Sequence, residues 1–330
     1  MMTSPNPLTP TRTLPYGEAA IAEAAATIAA GRPVAIPTET VYGLAADATE
    51  SRAVAGIYAA KGRPSFNPLI VHVLDRAAAE RIASFDDSAK RLADAFWPGP
   101  LTLVLPLRPD AGIASLVTAG LDTIAIRVPA HRAMRALLLA TGRPLAAPSA
   151  NASGSISPTR AEHVLASLGG RIPLIVDDGP TEAGLESTIV MTGGGVRVLR
   201  PGPVTTEDIS NLFGGRGPVS EGVATGARPS PGKKIVTSPG QLESHYAPSK
   251  PLRINASTAA PDEWLIGFGS ISGDDSLSGT GDLSEAAAAL FSALHGGDAS
   301  PKPRIAVAPI PETGLGVAIN DRLRRAAHRD

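Results

Sequence analysis

Short apolar runs of strand length recur between residues 34 and 199, and several follow one another with no helical segment between them. The runs are 34–36, 69–73, 101–105, 124–128, 174–176, 188–190 and 196–199. Apolar residues at helical spacing mark segments at about 17–31, 54–61, 88–96, 130–140 and 160–168. Because the alternation of strand and helix is incomplete, a purely parallel sheet does not fit. The sequence predicts an α/β domain with a twisted mixed sheet, similar to an open barrel, and flanking helices.

The composition changes after this region. Residues 214–250 are rich in Gly, Pro and Ser, which is typical of a linker. Strand-like runs follow at 252–254, 264–268 and 304–308, and helical segments at 283–294 and 315–327. We therefore expect an N-terminal tail (1–16), a large α/β domain (17–213), a linker that could act as a lid (214–250) and a small Rossmann-like α/β domain (251–330).

Charge and cysteine content exclude several classes of function. Lys plus Arg number 30 and Asp plus Glu number 31, a balance that argues against a general polyanion binder. With no cysteine, the chain has no disulfide, thiolate zinc site or iron–sulfur cluster. No apolar run approaches the roughly 20 residues of a membrane helix, and the first residues lack the pattern of a signal peptide. The sequence thus predicts a soluble cytoplasmic protein with no membrane association.

Polar side chains concentrate in five short segments, each next to a predicted strand end. They are Pro37–Leu44, Lys61–Val73, Thr123–Pro129, Pro148–Gly154, and Glu186–Val190 together with Arg200–Gly202. Open α/β sheets bind their ligands at strand ends, so we expect the segments to build one site. In Lys61–Val73, two cations and an amide stand in a turn broken by Gly and Pro. This combination suits a phosphate, because the cations match anionic oxygens and glycine lets the backbone approach.

Several of these residues also have a purely structural explanation. Lys61 suits a helix C-terminus, where a cation gains about 0.3–1 kcal/mol. His72 could be a core histidine bonded to a backbone carbonyl. Ser149 and Asn151 are ordinary turn residues. Arg127 is harder to explain in this way, since a guanidinium within an apolar strand needs an anionic partner.

Familiar nucleotide and metal motifs do not account for the site. Gly226 and Gly232 have the wrong spacing for a P-loop, and Lys234 stands where that motif needs Ser or Thr. The glycines at 267, 269 and 273 miss the dinucleotide fingerprint by one residue. The six histidines show no metal-binding spacing, so no metal ligand is assigned. A bound nucleotide would therefore need other residues.

In this order, the five segments resemble the YrdC-type domain family of threonylcarbamoyl-adenylate synthases. They read PTETVYGL, KGRPSFNPLIVHV, TIAIRVP, PSANASG, and ESTIV with RPG, and the resemblance spans roughly residues 17–212. The later segment SPGQLESHYAP, residues 238–248, is similar to the linker motif of the family's long form, which carries an extra C-terminal α/β domain. The resemblance implies a YrdC-type sheet followed by that smaller domain.

The resemblance also implies an enzyme of tRNA modification. Family members combine L-threonine, bicarbonate and ATP into threonylcarbamoyl-AMP and pyrophosphate. Threonylcarbamoyl-transferase proteins then transfer the group to adenosine 37 of tRNA. ATP would be a substrate accompanied by Mg²⁺, and no tightly bound cofactor is expected. Contact with RNA is a further expectation.

Roles for individual residues follow from the resemblance. The threonine pocket would consist of Thr40, His72, Arg127, Ser149 and Ser187, with Arg127 gripping the carboxylate. ATP would be bound by Lys61, Arg63, Asn67, Thr123, Asn151, Thr159, Arg200 and Tyr246, and Lys61 and Arg63 would act catalytically on the triphosphate. Tyr246, on the linker, would close over the nucleotide and exclude water from a carbamate and a mixed anhydride that hydrolyse readily.

Two other functions remain open at this stage. A YrdC-type domain could be a non-catalytic module that binds double-stranded RNA, although the near-neutral charge and the lack of Lys/Arg runs disfavour it. Formation of carbamoyl-adenylate for metallocentre assembly would keep the fold, but such chains are larger and carry zinc-finger cysteines, which this sequence lacks. Pyrophosphate release that needs both threonine and bicarbonate would separate these hypotheses.

Overall fold

The computed structural model describes residues 10–64, 66–215 and 246–328, together with the backbone of 220–221. These residues form two β-sheets, of eleven and four strands, with helices packed against them. The predicted α/β architecture, a large mixed sheet plus a second small sheet, is confirmed. Within these described ranges, no helix is long and apolar enough to span a membrane.

The large sheet contains every strand that the apolar runs predicted before residue 200. Its strands are β1 (Arg12–Pro15), β2 (Val34–Pro37), β3 (Tyr42–Asp47), β4 (Ile70–His72), β5 (Leu101–Pro106), β6 (Thr123–Arg127), β7 (Leu145–Ala146), β8 (Leu174–Asp177), β9 (Thr188–Met191), β10 (Arg197–Arg200) and β11 (Ser220–Glu221). Their spatial order is β1-β8-β2-β3-β7-β4-β6-β5-β9-β10-β11. Strand β6 pairs in parallel with β4 and antiparallel with β5, so the sheet is mixed.

In the large sheet, strands β1, β3, β7 and β11 were not predicted. Strand β1 lies in the expected N-terminal tail, yet Arg12–Pro15 pair in parallel with β8. The tail assignment is therefore wrong for these four residues, because a short strand at a sheet edge needs no apolar run. Strand β3 is rich in Ala and Gly, which have low β-propensity, and it forms because β2 and β7 pair with it on either side.

Helices cover both faces of the large sheet. They are α1 (Glu18–Ala29), α2 (Ser51–Lys61), α3 (Arg76–Ile82), α4 (Asp87–Phe96), α5 (Ser115–Thr118), α6 (Arg132–Thr141), α7 (Ala161–Leu168) and α8 (Thr206–Leu212). Val34 and Ile36 of β2 pack with α1 and α6, whereas Ala35 belongs to the core that includes α2 and α4. Alternate residues of a strand point to opposite faces, so each face has its own helical layer. Helices α3, α5 and α8 were not predicted.

Helix α2 ends where the sequence places two cations. Glu50 caps its N-terminus by accepting a hydrogen bond from the backbone N–H of Arg52. Gly62 ends the helix in the left-handed conformation, with φ of 61°, which a residue without Cβ adopts at no steric cost. Lys61 therefore lies in the last helical turn, and Arg63 follows the cap.

The small sheet and its helices form a C-terminal unit, residues 252–327. Its strands are β12 (Leu252–Arg253), β13 (Glu263–Gly267), β14 (Asp275–Ser276) and β15 (Arg304–Val307), in the order β12-β15-β13-β14, and its helices are α9 (Leu283–Ala299) and α10 (Leu315–Ala327). All strand pairs are parallel, as expected for a Rossmann-like unit. Most of the predicted linker, 214–250, lies outside the described residues, so the exact domain division stays a prediction.

Candidate active site

One pocket collects residues from all five polar segments. It lies where β4 and β6 end side by side, because these strands are parallel and His72 is in register with Arg127. Its cavity volume is about 50 Å³, below the roughly 300–1,000 Å³ of typical small-molecule sites. The lining residues are Thr38, Thr40, Val41, Gly43, Arg63, Leu69, Ile70, His72, Arg127, Ala147, Pro148, Ser149, Glu186, Ser187, Arg200 and Tyr246.

Arg127 is buried at this strand end, and all three of its nitrogens are engaged. Nη2 donates to Glu39 Oε1 at 2.5 Å, Nη1 donates to Thr40 Oγ1 at 2.8 Å, and Nε donates to the carbonyl oxygen of Gly99 at 3.1 Å. Burial alone would raise the pKa of Glu39, but the charge and hydrogen bond of Arg127 outweigh it and hold that pKa below its usual value. Glu39 is thus the anionic partner that Arg127 requires, and it was not predicted. Two N–H groups of the guanidinium remain outside these bonds.

His72 is buried in the pocket wall near Arg127. Burial, and then the positive charge of Arg127, lower the pKa of His72 to about 3, so the ring is neutral at pH 7. Its Nδ1 has no hydrogen-bond partner among the described residues. Buried polar atoms are normally paired, so this nitrogen is a candidate contact for a bound molecule.

Two further buried guanidinium groups line the pocket, and neither has a carboxylate hydrogen-bond partner among the described residues. Arg63 donates to the carbonyl oxygens of Asn67 at 3.3 Å and Pro68 at 3.0 Å. Arg200 donates to the carbonyl oxygen of Ser187 at 2.9 and 3.1 Å. Burial lowers the pKa of Arg63 to about 10, and it also lowers the pKa of Arg200. Because a buried cation is unfavourable without counter-charge, the pocket suits an anionic ligand.

Lys61 lies behind the pocket wall. Its Nζ donates to the carbonyl oxygen of Ser149 at 2.6 Å and to that of Asn151. Burial, and then the charge of Arg63, hold the pKa of Lys61 well below its usual value. Through these hydrogen bonds Lys61 connects the end of α2 to the loop at 148–151, which is a structural role in addition to the predicted catalytic one.

The sequence matches two family models along most of its length. A model described as telomere recombination, for Sua5, YciO and YrdC proteins, matches residues 26–202. The chain belongs to the Sua5/YciO/YrdC family. A second model, described as threonylcarbamoyl-AMP synthase, C-terminal domain, matches residues 204–328 of this family member. The family resemblance stated from the five segments is confirmed.

Relatives in the Sua5/YciO/YrdC family match over nearly the whole chain. Threonylcarbamoyl-AMP synthase from Bacillus subtilis is 43% identical over 328 residues, covering 93% of this chain and 92% of the relative. The Pyrococcus abyssi enzyme of the same name is 39% identical over 326 residues, covering 92% and 93%. A crystal structure of P. abyssi Sua5 complexed with L-threonine has a TM-score of 0.84 at 36% identity, covering 97% of this chain and 98% of that chain. The similarity includes the C-terminal unit, as in the long form of the family.

Several residues predicted to bind ATP do not line the pocket of this Sua5/YciO/YrdC protein; they are Lys61, Asn67, Thr123, Asn151 and Thr159. Asn67 is fully buried, and neither polar atom of its side chain has a hydrogen-bond partner among the described residues. Thr123 begins β6, about 13 Å along the strand from Arg127 at roughly 3.3 Å per residue. Thr159 is buried with Oγ1 3.0 Å from Ser292 Oγ on α9. The ATP roles of Thr123 and Thr159 stay predictions.

The C-terminal unit contacts the pocket wall through a buried arginine that was not predicted. Arg322, on α10, donates from Nε to Glu186 Oε2 at 2.9 Å. Its guanidinium carbon lies 5.5 Å from the ring centroid of Tyr246, and the Tyr246 ring lies 5.5 Å from that of Phe291 on α9. A single arginine in an amphipathic helix gives no sequence signal of burial, so the pairing of Arg322 with Glu186, the first residue of the fifth polar segment, could only be found from the structure.

Proposed function

We propose that this protein forms L-threonylcarbamoyl-AMP and pyrophosphate from L-threonine, bicarbonate and ATP, for threonylcarbamoylation of adenosine 37 in tRNA. The observation that carries the proposal is the charge arrangement of one pocket. Arg127 is paired with Glu39, whereas Arg63 and Arg200 bond carbonyl oxygens and have no carboxylate hydrogen-bond partner among the described residues. The first arrangement suits an amino-acid carboxylate and the second suits a triphosphate. The names of the relatives and the L-threonine complex of the P. abyssi protein support these substrates.

The reaction is a nucleotidyl transfer. The amine of threonine adds to the carbon of CO₂ derived from bicarbonate and loses a proton, which gives a carbamate. A carbamate oxygen then attacks the α-phosphorus of ATP, and the bond from that phosphorus to the bridging oxygen breaks, so that pyrophosphate leaves. No enzyme nucleophile is required. Catalysis therefore depends on positioning the reactants and on cations that neutralise phosphate charge.

Threonine would bind at the Arg127 end of the pocket. Its carboxylate would accept hydrogen bonds from the two N–H groups that Glu39, Thr40 and Gly99 leave unused. Neutral His72 would supply its unpartnered Nδ1 to the amino or hydroxyl group, and the tautomer decides whether this atom donates or accepts. The predicted hydroxyl contacts, Ser149 and Ser187, lie in the same lining.

ATP would bind with its phosphates toward Arg63 and Arg200, with Lys61 close behind. Glu186 is the only carboxylate among the described residues that line the pocket, and it is paired with Arg322. The described part of the chain also holds no group of three His, Asp or Glu that could bind a metal. Mg²⁺ would therefore enter with ATP, held mainly by phosphate oxygens and water.

The product would leave for a second protein. A mixed anhydride hydrolyses readily, so we infer transfer to tRNA-modifying threonylcarbamoyl-transferase proteins in the cytoplasm. Tyr246 is buried in the pocket wall against Phe291, which supports its proposed part in closing the site to water.

A module that binds double-stranded RNA is less well supported by the same pocket. Arg63, Arg127 and Arg200 are at most 9% exposed. Cations buried to this degree do not reach the backbone phosphates of a duplex, which carry most of the affinity for nucleic acid.

The decisive experiment measures pyrophosphate release from ATP with threonine and bicarbonate each present or omitted. We expect release only with both, and none with serine in place of threonine. Arg200→Met should abolish most of the activity, whereas Arg197→Met, on the same strand but outside the pocket lining, should not. Release without threonine, or no release from the folded wild type, would refute the proposal.

A further inference from the structure

Helix α10 of the C-terminal unit places a fully buried arginine against the wall of the pocket. Besides the bond to Glu186 Oε2, Arg322 donates from Nη2 to the carbonyl oxygen of Glu186 at 3.4 Å and from Nη1 to Asp321 Oδ2 at 2.8 Å. The second carboxylate oxygen of Glu186 accepts from Ser157 Oγ at 2.5 Å. The Arg322–Glu186 pair thus joins α10 to the segment that leads into β9.

Glu186 immediately precedes the residue that orients Arg200. Arg200 bonds the Ser187 carbonyl oxygen through two nitrogens, and its Nη2 lies 3.2 Å from Ser187 Oγ. The Ser187 hydroxyl also lies 2.7 Å from Thr102 Oγ1 on β5. Arg322 does not line the pocket, yet it fixes both the side chain and the carbonyl of the residue next to Ser187.

The charge of Glu186 links the Arg322–Glu186 pair to ATP binding by Arg200. Burial would raise the pKa of Glu186, but the charges of Arg322 and then Arg200 outweigh it and keep the carboxylate ionised. Without Arg322, a buried carboxylate near Arg200 would either take up a proton or pair with Arg200. Pairing would neutralise the guanidinium that the phosphates need.

Helix α9 contacts the large domain at two places, next to Glu186 and on helix α7. Gly184 lies so close to α9 that a Cβ there would be 2.4 Å from the carbonyl oxygen of Ala287. His163 of α7 stacks on His295 of α9 with ring centroids 3.8 Å apart. Because α9 makes both contacts with the large domain, the C-terminal unit that carries Arg322 is held in place relative to the pocket.

We propose that Arg322 is a positioning residue for the nucleotide: by neutralising Glu186 it leaves Arg200 available to the ATP phosphates, so that the C-terminal unit completes the active site. The inference rests on the proposed function, because ATP is taken as the ligand of Arg200. It gives the C-terminal unit a part in substrate binding.

The test is a titration of the full-length protein with α,β-methylene-ATP, which cannot release pyrophosphate, together with steady-state kinetics. Arg322→Met should weaken binding of the analogue and raise KM for ATP by at least ~10-fold, with KM for threonine changed less than ~2-fold. Arg324→Met is the matched control, because Arg324 lies on the same helix, pairs with Glu312 and is 53% exposed. Arg324→Met should change neither the affinity for the analogue nor the KM for ATP.

A rescue variant separates positioning from a general loss of structure. In Arg322→Met with Glu186→Gln, no buried carboxylate competes for Arg200, so binding of the analogue should return to within ~3-fold of wild type. If Arg322→Met alone does not fold, this double variant decides by itself. Binding within ~3-fold of the wild-type value supports a role confined to Glu186, and any weaker binding overturns it.

Failure of the inference differs from failure of the proposed function. Equal affinity of wild type and R322M for the analogue, or equal weakening of ATP and threonine, would overturn the inference and leave the reaction intact. If the wild-type protein binds the analogue but releases no pyrophosphate from ATP with threonine and bicarbonate present, the proposed reaction is refuted and the role of Arg322 is not. Wild-type protein that binds no analogue would refute both.

Discussion

Glu39→Gln is the substitution that most directly tests how the pocket receives the carboxylate of threonine. Glu39 accepts from Arg127 at 2.5 Å, and both side chains are buried. Breaking one side of a buried pair costs about 3–5 kcal/mol. Glutamine keeps an acceptor oxygen, and Arg127 keeps its bonds to Thr40 and Gly99, so we expect a loss near the lower limit, about 3 kcal/mol. At about 2–4 °C per kcal/mol for a domain of this size, Tm should fall by roughly 6–12 °C.

The same substitution should increase the stabilisation that threonine provides. In the wild type, the incoming carboxylate meets a guanidinium that Glu39 already neutralises. In E39Q it becomes the counter-ion of Arg127, so saturating L-threonine should raise Tm more than in the wild type, and the Kd for threonine should not increase.

Thermal unfolding with and without threonine, supported by calorimetric titration, measures both effects. Glu23→Gln is the control, because Glu23 pairs with Arg12 at the surface, where an ion pair contributes about 0–1 kcal/mol. If E39Q is as stable as wild type, Glu39 does not stabilise the buried Arg127 as the structure implies. If threonine stabilises E39Q no more than wild type, Arg127 is not the carboxylate ligand.

Three further predictions concern other positions. The folded-state pKa of His72 is about 3, below its usual 6.5, so the unfolded chain binds more protons between these two pH values. The free energy of unfolding should therefore fall as pH falls below 6.5. Urea unfolding at pH 7.5 and 5 should show a smaller pH dependence for His72→Gln than for wild type. Gly184→Ala should lower Tm more than Gly179→Ala. Both glycines have positive φ, but only a Cβ at 184 would meet α9, 2.4 Å from the carbonyl oxygen of Ala287. Equal shifts in Tm would contradict this close packing. Asn67→Leu should leave Tm unchanged or raise it while weakening ATP binding, since it removes buried polar atoms that have no partner among the described residues; a large drop in Tm would show that the amide is structural.

The parts of the fold that sequence reasoning recovered are those with their own local signal. The apolar strands β5 and β6 and the amphipathic helices α4 and α6 appear within one or two residues of their predicted bounds. The parts that it missed depend on tertiary contacts. Strand β7 has only two residues and is a strand because β3 and β4 pair with it on either side. No local pattern encodes that arrangement.

The site shows the same division. A guanidinium inside an apolar strand was enough to predict that Arg127 has an anionic partner. The identity of that partner, 88 residues earlier in the chain, depends on how the loop after β2 lies over the end of β6. Arg322, 136 residues from Glu186, required the position of an entire second unit. Local sequence therefore revealed which residues needed partners, and the fold revealed which partners they have.

The four arginines that are buried among the described residues divide into two kinds, and this division explains the chemistry of the pocket. Arg127 and Arg322 each bond a buried glutamate, so their charges are balanced before any ligand binds. Arg63 and Arg200 bond carbonyl oxygens, which orient a guanidinium without neutralising it. The uncompensated positive charge therefore lies on the pair assigned to the triphosphate. A polyanion gains the most from that pair, and the leaving pyrophosphate carries the charge that the pair stabilises, so the protein can promote the transfer without a nucleophile of its own.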